Sequence, residues 1–419
     1  MVRLVLFFMF AASVPVAASD PMPITLDQAF ASALKHSEDI AQRGETYEQV
    51  SAQIDQLWSA VKPRVQLTGS HFWQDTPGAG VNFPLPANQD TVSINGHQAI
   101  FGGLRDFLAV NAAKSLSESS RLAIARAKQL LYQDVAKAYL DLLRSRRAIG
   151  IHEEQFKLTQ ARVKELENFA EIGRSRHSEV LAVKSQHAQD EADLAAAHGE
   201  EHIRQATLRF LTGIDQDLSP VDVDEPALPG PVEDFNARAK LRPDVEGAQK
   251  DLSYSDTFVT IQQRLYWPTV GLDGSYYLRR PQNFSKNVHW DATLSAVLPL
   301  YSGGQIAGQI REAKAQRGYR EQAFSLAARK ALLEVRQAYD DLASDLAVVK
   351  ALRNALTLAE SNATAQSADY RHGLVTNIDV LTSLTTVQNT KLRLDQAQLQ
   401  AYDDYVRLEV ASGGPGSLK

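Results

Sequence analysis

The 419-residue chain has no cysteine. That absence excludes a disulfide scaffold, a thiolate zinc site, a cysteine nucleophile and a lipidated N-terminal cysteine. A surplus of basic charge is missing too, because 44 Lys and Arg stand against 50 Asp and Glu. Nucleic acid as a partner is therefore excluded, since its binding calls for a basic footprint. Beyond residue 20 no apolar run reaches the ~18 residues of a membrane helix. Proline is absent from Arg105 to Ile172 and from Gln305 to His372. Two uninterrupted helices of roughly 100 Å, at ~1.5 Å per residue, fit those stretches. G-x-S-x-G, P-loop and G-x-G-x-x-G patterns are absent, so no common catalytic or nucleotide-binding signature is present.

What is present begins with MVRLVLFFMFAASVPVAAS: Arg3, an apolar run from Leu4 to Val16, then Ala17, Ala18 and Ser19. This is the layout of a secretory signal peptide over residues 1–18, with the remainder exported. The chain is then written twice. Val135, Ala138, Tyr139, Asp141 and Leu142 recur as Val335, Ala338, Tyr339, Asp341 and Leu342, and Gly173 recurs as Gly373. Further upstream, Leu67, Gly69 and Ser70 match Leu272, Gly274 and Ser275. Two structural repeats follow, 19–217 and 235–411, each a helix, two strands and a long helical hairpin. The proline-rich, acidic stretch 218–234 reads as an irregular exposed linker, and 412–419 as a tail. Leu26, Ala33, Ile40, Tyr47, Ile54 and Val61 fall in one heptad register, which predicts coiled-coil packing.

Four segments change to a period of two: 64–74, 91–101, 269–279 and 288–298. Each has the length of a tilted membrane strand, with an apolar and a polar face. Phe72, Trp73, Tyr276, Tyr277 and Trp290 fall where an aromatic girdle is expected. A soluble hairpin over a core has the same alternation. Four strands do not close a barrel, and lipid does not tolerate an open edge, so a membrane reading requires several copies of the chain.

The order and spacing of ITLDQAFASAL (24–34), QAIFGGLRDF (98–107), LRPDV (241–245), LPLYSGGQI (298–306) and GLVTNIDVL (373–381) resemble the TolC-like outer-membrane efflux channels. The resemblance covers nearly all of the chain after the signal peptide. It implies a mainly α fold with membrane β: a homotrimeric α-helical barrel joined to a shared twelve-stranded β-barrel, four strands per protomer. It further implies an exit duct in the outer membrane that reaches into the periplasm. Its partners there are outer-membrane lipid, a periplasmic adaptor and an inner-membrane transporter of an efflux pump or a type I secretion system. No enzyme activity, metal or cofactor is implied. A soluble periplasmic coiled-coil adaptor or scaffold is the alternative that shares the heptads.

The resemblance places the turns around Gly173 and Gly373 at a periplasmic tip that closes the pore. Asp379 occupies the position of a lumen-facing acid there, and Glu179 is its counterpart in the first repeat. Rings of such acids would bind cations and set a selectivity barrier. Helix-start acids that interact with the dipole are an equally available reading of both residues. The family's gate pattern carries a second acid and a basic residue where this chain has Thr382 and Val375, leaving Arg174 and Arg176 as candidate basic partners. The tips Gly173, Arg174, Ser175, Gly373, Leu374 and Val375 would meet the adaptor. His152-Glu153 and His177-x-Glu179 lack a metal-site spacing on helices with a third ligand in view and read as solvated helix faces. Gly102-Gly103 and Gly303-Gly304 read as strand-to-helix bends.

Overall fold

The computed structural model describes residues 21–75, 88–280 and 287–414. The signal-peptide reading of 1–18 lies outside them. The element order is β1 (Met22–Ile24), α1 (Leu26–His36), α2 (Glu38–Ser59), β2 (Arg64–Trp73), β3 (Asn88–Phe101), α3 (Arg105–Glu171), α4 (His177–Thr212), β4 (Leu218–Pro220), α5 (Val232–Ala239), α6 (Pro243–Gln263), β5 (Thr269–Arg279), β6 (Trp290–Val297), α7 (Gln305–Arg371) and α8 (Asn377–Ser412). The two proline-free stretches are single helices of 67 residues each. Two compact units divide the chain, and each takes part of both sequence repeats.

Of the described residues, one unit holds 21–37, 131–229 and 340–407. Helix α1 starts on a capping box: the Gln28 amide N–H donates to Thr25 Oγ1 at 3.3 Å, and the Thr25 N–H donates back to Gln28 Oε1 at 3.0 Å. Leu26, Ala29, Phe30 and Ala33 form its buried stripe. The heptad run from Leu26 to Val61 is not one helix, because Ser37 adopts an extended backbone (ψ 109°) and α2 restarts at Glu38. Acids at Glu38 and Asp39 favour the new N-terminus through the helix dipole. Nor is the linker wholly irregular and exposed. β4 pairs in parallel with β1, Met22 opposite Leu218, and Leu218 is fully buried. The Tyr139 hydroxyl locks this pair, lying 3.0 Å from the Ile24 carbonyl and 2.6 Å from that of Val221. Burial pushes the Tyr139 phenol up to about 12, so it remains a donor at any ordinary pH.

The other unit holds the described residues of 38–130 and 230–339 together with 408–414. Its four-stranded antiparallel sheet runs in the order β2-β3-β5-β6, with Leu67 opposite Ile94, Ile94 opposite Tyr276 and Tyr276 opposite Trp290. Directly opposed residues share a face. One face therefore carries Val65, Leu67, Trp73, Ile94, Leu272, Tyr276, Trp290 and Leu294. These are exposed, Leu67 and Leu294 by 69% and 67%. The other face carries Thr68, Asn95, His97, Asp273 and Asp291, joined by hydrogen bonds such as His97 to Asp273 (2.6 Å) and Asn95 to Thr68 (2.9 Å). Trp73, Tyr276 and Trp290 belong to the apolar face, as a girdle requires. Register puts Phe72 and Tyr277 on the polar face instead, where the Tyr277 hydroxyl donates to Asp291 at 2.8 Å. Among the described residues β2 and β6 each pair on one side only. Positive φ at Gly103 (69°), Gly303 (60°) and Gly304 (89°) makes the strand-to-helix bends.

Arg242 of the LRPDV segment is 1% exposed and holds this unit's helices to the chain end. It donates to both Asp244 oxygens (2.7 and 2.8 Å), to Glu334 (2.6 Å) and to the Ala411 carbonyl (3.1 Å). Arg126 and Gln129 add bonds to the Val410 and Gly413 carbonyls. Burial works against the Asp244 charge, but the Arg242 guanidinium prevails and holds the carboxyl below its ordinary range.

Candidate functional site

Both candidate turns have the same backbone. After α3, Gly173 takes φ 76°, its N–H donates to the Ala170 carbonyl (3.1 Å), and the Arg174 N–H donates to Phe169 (2.7 Å). After α7, Gly373 takes φ 74°, donating to Tyr370 (2.9 Å), and Leu374 donates to Asp369 (3.0 Å). Each is a Schellman stop, and the left-handed residue is glycine because a Cβ would be strained there. Leu166, Val180, Val183 and Leu381 form a buried cluster, with Phe169 and Tyr370 packed on it. In the turns Gly173, Arg174, Gly373 and Leu374 are exposed, Leu374 by 74%, whereas Ser175 and Val375 are half-buried. Val375 is thus less available at the surface than its turn position alone suggests.

The acids are held differently. Asp379 is exposed and accepts from Thr376, at 2.9 Å from the amide and 2.5 Å from the hydroxyl. Those two bonds hold its carboxyl below the usual value. Glu179 is half-buried and accepts from the Ser175 hydroxyl (2.8 Å) and, across the hairpins, from the Tyr370 hydroxyl (3.2 Å). Burial and then the Glu179 charge push the Tyr370 phenol up, so it stays a donor to that carboxylate. Among the described residues neither Arg174 nor Arg176 forms an ion pair with either acid; the Arg174 guanidinium lies 5.1 Å over the Phe169 ring. The basic residue joining the two hairpins is one the sequence patterns did not single out, Arg162 of α3. It is buried, donates twice to Asn377 Oδ1 (3.1 and 3.0 Å) and once to Glu165 (2.6 Å), and lies 4.2 Å over the Tyr370 ring. A long basic residue eleven positions before the Gly173 stop is the only sign of it in the sequence, and it is a weak one. Thr382, where the resemblance expects an acid, turns its hydroxyl back to the Ile378 carbonyl (2.8 Å).

Beside the turns α4 and α8 leave a groove of about 480 Å³ lined by Ser185, Gln186, Gln189, Thr382, Thr385 and Thr386 with apolar neighbours. Its lining is uncharged and offers no anchor for an ionic cofactor. Among the described residues no group of three or more His, Asp or Glu side chains is arranged to hold a metal ion. His152 bonds Gln388 at 3.2 Å. Among the described residues no helix is long and apolar enough to cross a membrane.

Comparison with known proteins agrees with this arrangement. The chain is 22% identical over 355 residues to the outer membrane efflux protein BepC of Brucella suis, covering 83% of this chain and 75% of that one. It is 21% identical over 402 residues to nodulation protein T of Rhizobium leguminosarum, covering 93% and 82%. The solved structure of the outer membrane protein VceC of Vibrio cholerae superposes with a TM-score of 0.81 at 19% identity, covering 94% of this chain and 97% of that one, so the two chains share a fold. The family model for outer membrane efflux proteins matches residues 30–214 and 237–414, both repeats, and the chain belongs to that family.

Proposed function

We propose that three copies of this chain form an outer-membrane exit duct, receiving cargo from a periplasmic adaptor and an inner-membrane transporter. The supporting observation is the sheet: one exposed face that is apolar apart from the hydrogen-bonded His71 and Asp90, one polar face, and, among the described residues, two edges paired on one side only. Lipid covers the apolar face in this reading, and neighbouring copies pair the edges to close twelve strands. The polar face then lines the water-filled passage. Conduction rather than catalysis is the activity, in keeping with a family of channel proteins. The two structural repeats each supply one strand pair and one hairpin to the tube.

Asp379 is the pore acid of this duct. It is exposed and kept ionised by Thr376, so three copies present fixed negative charge to passing cations. Glu179 acts beside it as the braced acid that ties the two hairpins together through Tyr370. Leu374, exposed on its turn, is the apolar contact for the adaptor.

Leu294→Arg places a charge on the lipid face at a cost of about 2–4 kcal/mol if it sits near the bilayer midplane. Loss of the trimer and of the outer-membrane fraction is expected, read by fractionation and cross-linking. Unchanged fractionation would favour a soluble coiled-coil adaptor and defeat the proposal.

A further inference from the structure

On α4 the segment His198-Gly-Glu-Glu-His202 sets two histidines one helical turn apart. Residues at i and i+4 lie on one face with Cβ atoms ~5–6 Å apart, a span that two imidazoles can close around one ion. Both are exposed, and neither forms a hydrogen bond, ion pair or ring contact in the described structure. The carboxylates between them are engaged elsewhere. Glu200 pairs with Arg204 at 2.6 Å and Glu201 with Arg146 of α3 at 2.8 Å. Along the same stripe the next residues are Ala195 and Ala206, both exposed and too small to obstruct the rings. At Gly199 nothing lies within 4 Å of the position a Cβ would take. The scaffold is a 36-residue helix with the pair well inside it, so the spacing does not depend on a frayed end.

We infer that His198 and His202 form a surface site for one divalent transition-metal ion, with water completing the coordination sphere. Imidazole nitrogen suits Cu²⁺, Ni²⁺ and Zn²⁺, and the ordinary order of affinities puts Cu²⁺ first. Calcium and magnesium, which take oxygen ligands, are excluded. The open positions leave room for a ligand from another molecule. The site does not depend on the channel reading.

The test uses the full-length chain without an affinity tag, solubilised in detergent, titrated with CuSO₄ and separately ZnSO₄ by calorimetry, with the copper complex examined by electron paramagnetic resonance. One copper ion per chain with two-nitrogen hyperfine structure is expected. H198A or H202A should each weaken that binding by at least about tenfold, and H202A/I203H, which keeps the histidine number but breaks the spacing, should behave like the single variants. Circular dichroism establishes that these exposed substitutions leave the fold intact. Copper binding of unchanged affinity in H198A/H202A, or in H202A/I203H, overturns the inference, as does a wild-type chain that takes up no stoichiometric ion.

Discussion

The first and second repeats end their long hairpins on turns of one backbone shape and two different wirings. Gly173 and Gly373 share a left-handed conformation and the same pair of capping bonds. Past the glycines the sequences diverge, with Ser175-Arg176 in one turn and Val375-Thr376 in the other. Ser175 donates to Glu179 and Thr376 to Asp379, so both acids are held, but from different positions. Only Glu179 also reaches the opposite hairpin, through Tyr370. The two turns share the backbone, where glycine and two peptide bonds suffice. Their side chains differ, one acid bracing the opposite hairpin and the other facing solvent. The same divergence recurs higher in the helices. Ser145 and Arg204 of the first repeat correspond to Asp345 and Asp404 of the second. Ser145 donates to its own helix (2.8 Å) and Arg204 is ion-paired. Asp345 and Asp404 instead face each other as two carboxyls, and burial, then Asp404, push Asp345 up to about 6.

The comparison breaks most severely at Arg162, the link between the turns. Arg162→Ala leaves Asn377 and the Tyr370 face without their cation and should cost about 2–3 kcal/mol of local stability. Hydrogen exchange in 160–180 and 370–382 should rise together; a rise in one turn only would show that the hairpins are not coupled through this residue. Next come the glycines. Gly173→Ala and Gly373→Ala should each destabilise by about 1 kcal/mol, and equally, because the conformations match. Unequal thermal shifts would mean that the turns differ in more than side-chain wiring.

The acids should separate in planar bilayers. Asp379→Ala is expected to lower single-channel conductance and relieve cation block, whereas Glu179→Gln should mainly raise hydrogen exchange around Tyr370. Equal conductance effects, or none from Asp379→Ala, would remove the assignment of Asp379 as the pore acid.

The carboxyl pair gives the smallest and most specific effect. The folded-state value of Asp345 is raised, so the folded chain binds the proton more tightly, and stability falls as pH rises from 3.8 through about 6. Asp345→Asn should therefore melt higher than the parent at pH 7.5 and converge with it near pH 4. Asp244, whose value is lowered, acts with the opposite sign: its contribution is lost as pH falls below 3.8, outside that window. A parent and Asp345→Asn that melt in parallel from pH 4 to 7.5 would show that the pair is not strained.

Long helices, strand pairs and glycine stops could be read directly, because each depends on local chemistry: missing proline, alternating polarity, a residue free to take positive φ. The alternating segments 64–74, 91–101, 269–279 and 288–298 coincide with β2, β3, β5 and β6 to within three residues at each end. The heptad from Leu26 to Val61 misled because apolar spacing says nothing of a backbone turn at Ser37. The strand at Leu218 was hidden because a three-residue parallel pair has no periodicity of its own; burial under Tyr139 defines it. Arg162 shows the same boundary at the candidate site, since its partners Tyr370 and Asn377 are more than 200 residues away in sequence.

By itself, then, the sequence determined the long helices, the strand pairs, the glycine stops and the absence of thiol chemistry, all of which depend on residue types close together in the chain. Tertiary structure alone decided which acid braces the opposite hairpin and which faces solvent, which aromatics share the apolar face, and which arginine is buried. Those outcomes depend on register and on packing between distant helices. The free energy of a charge or a ring is set by what is brought against it, and that neighbour is not written beside it in the chain.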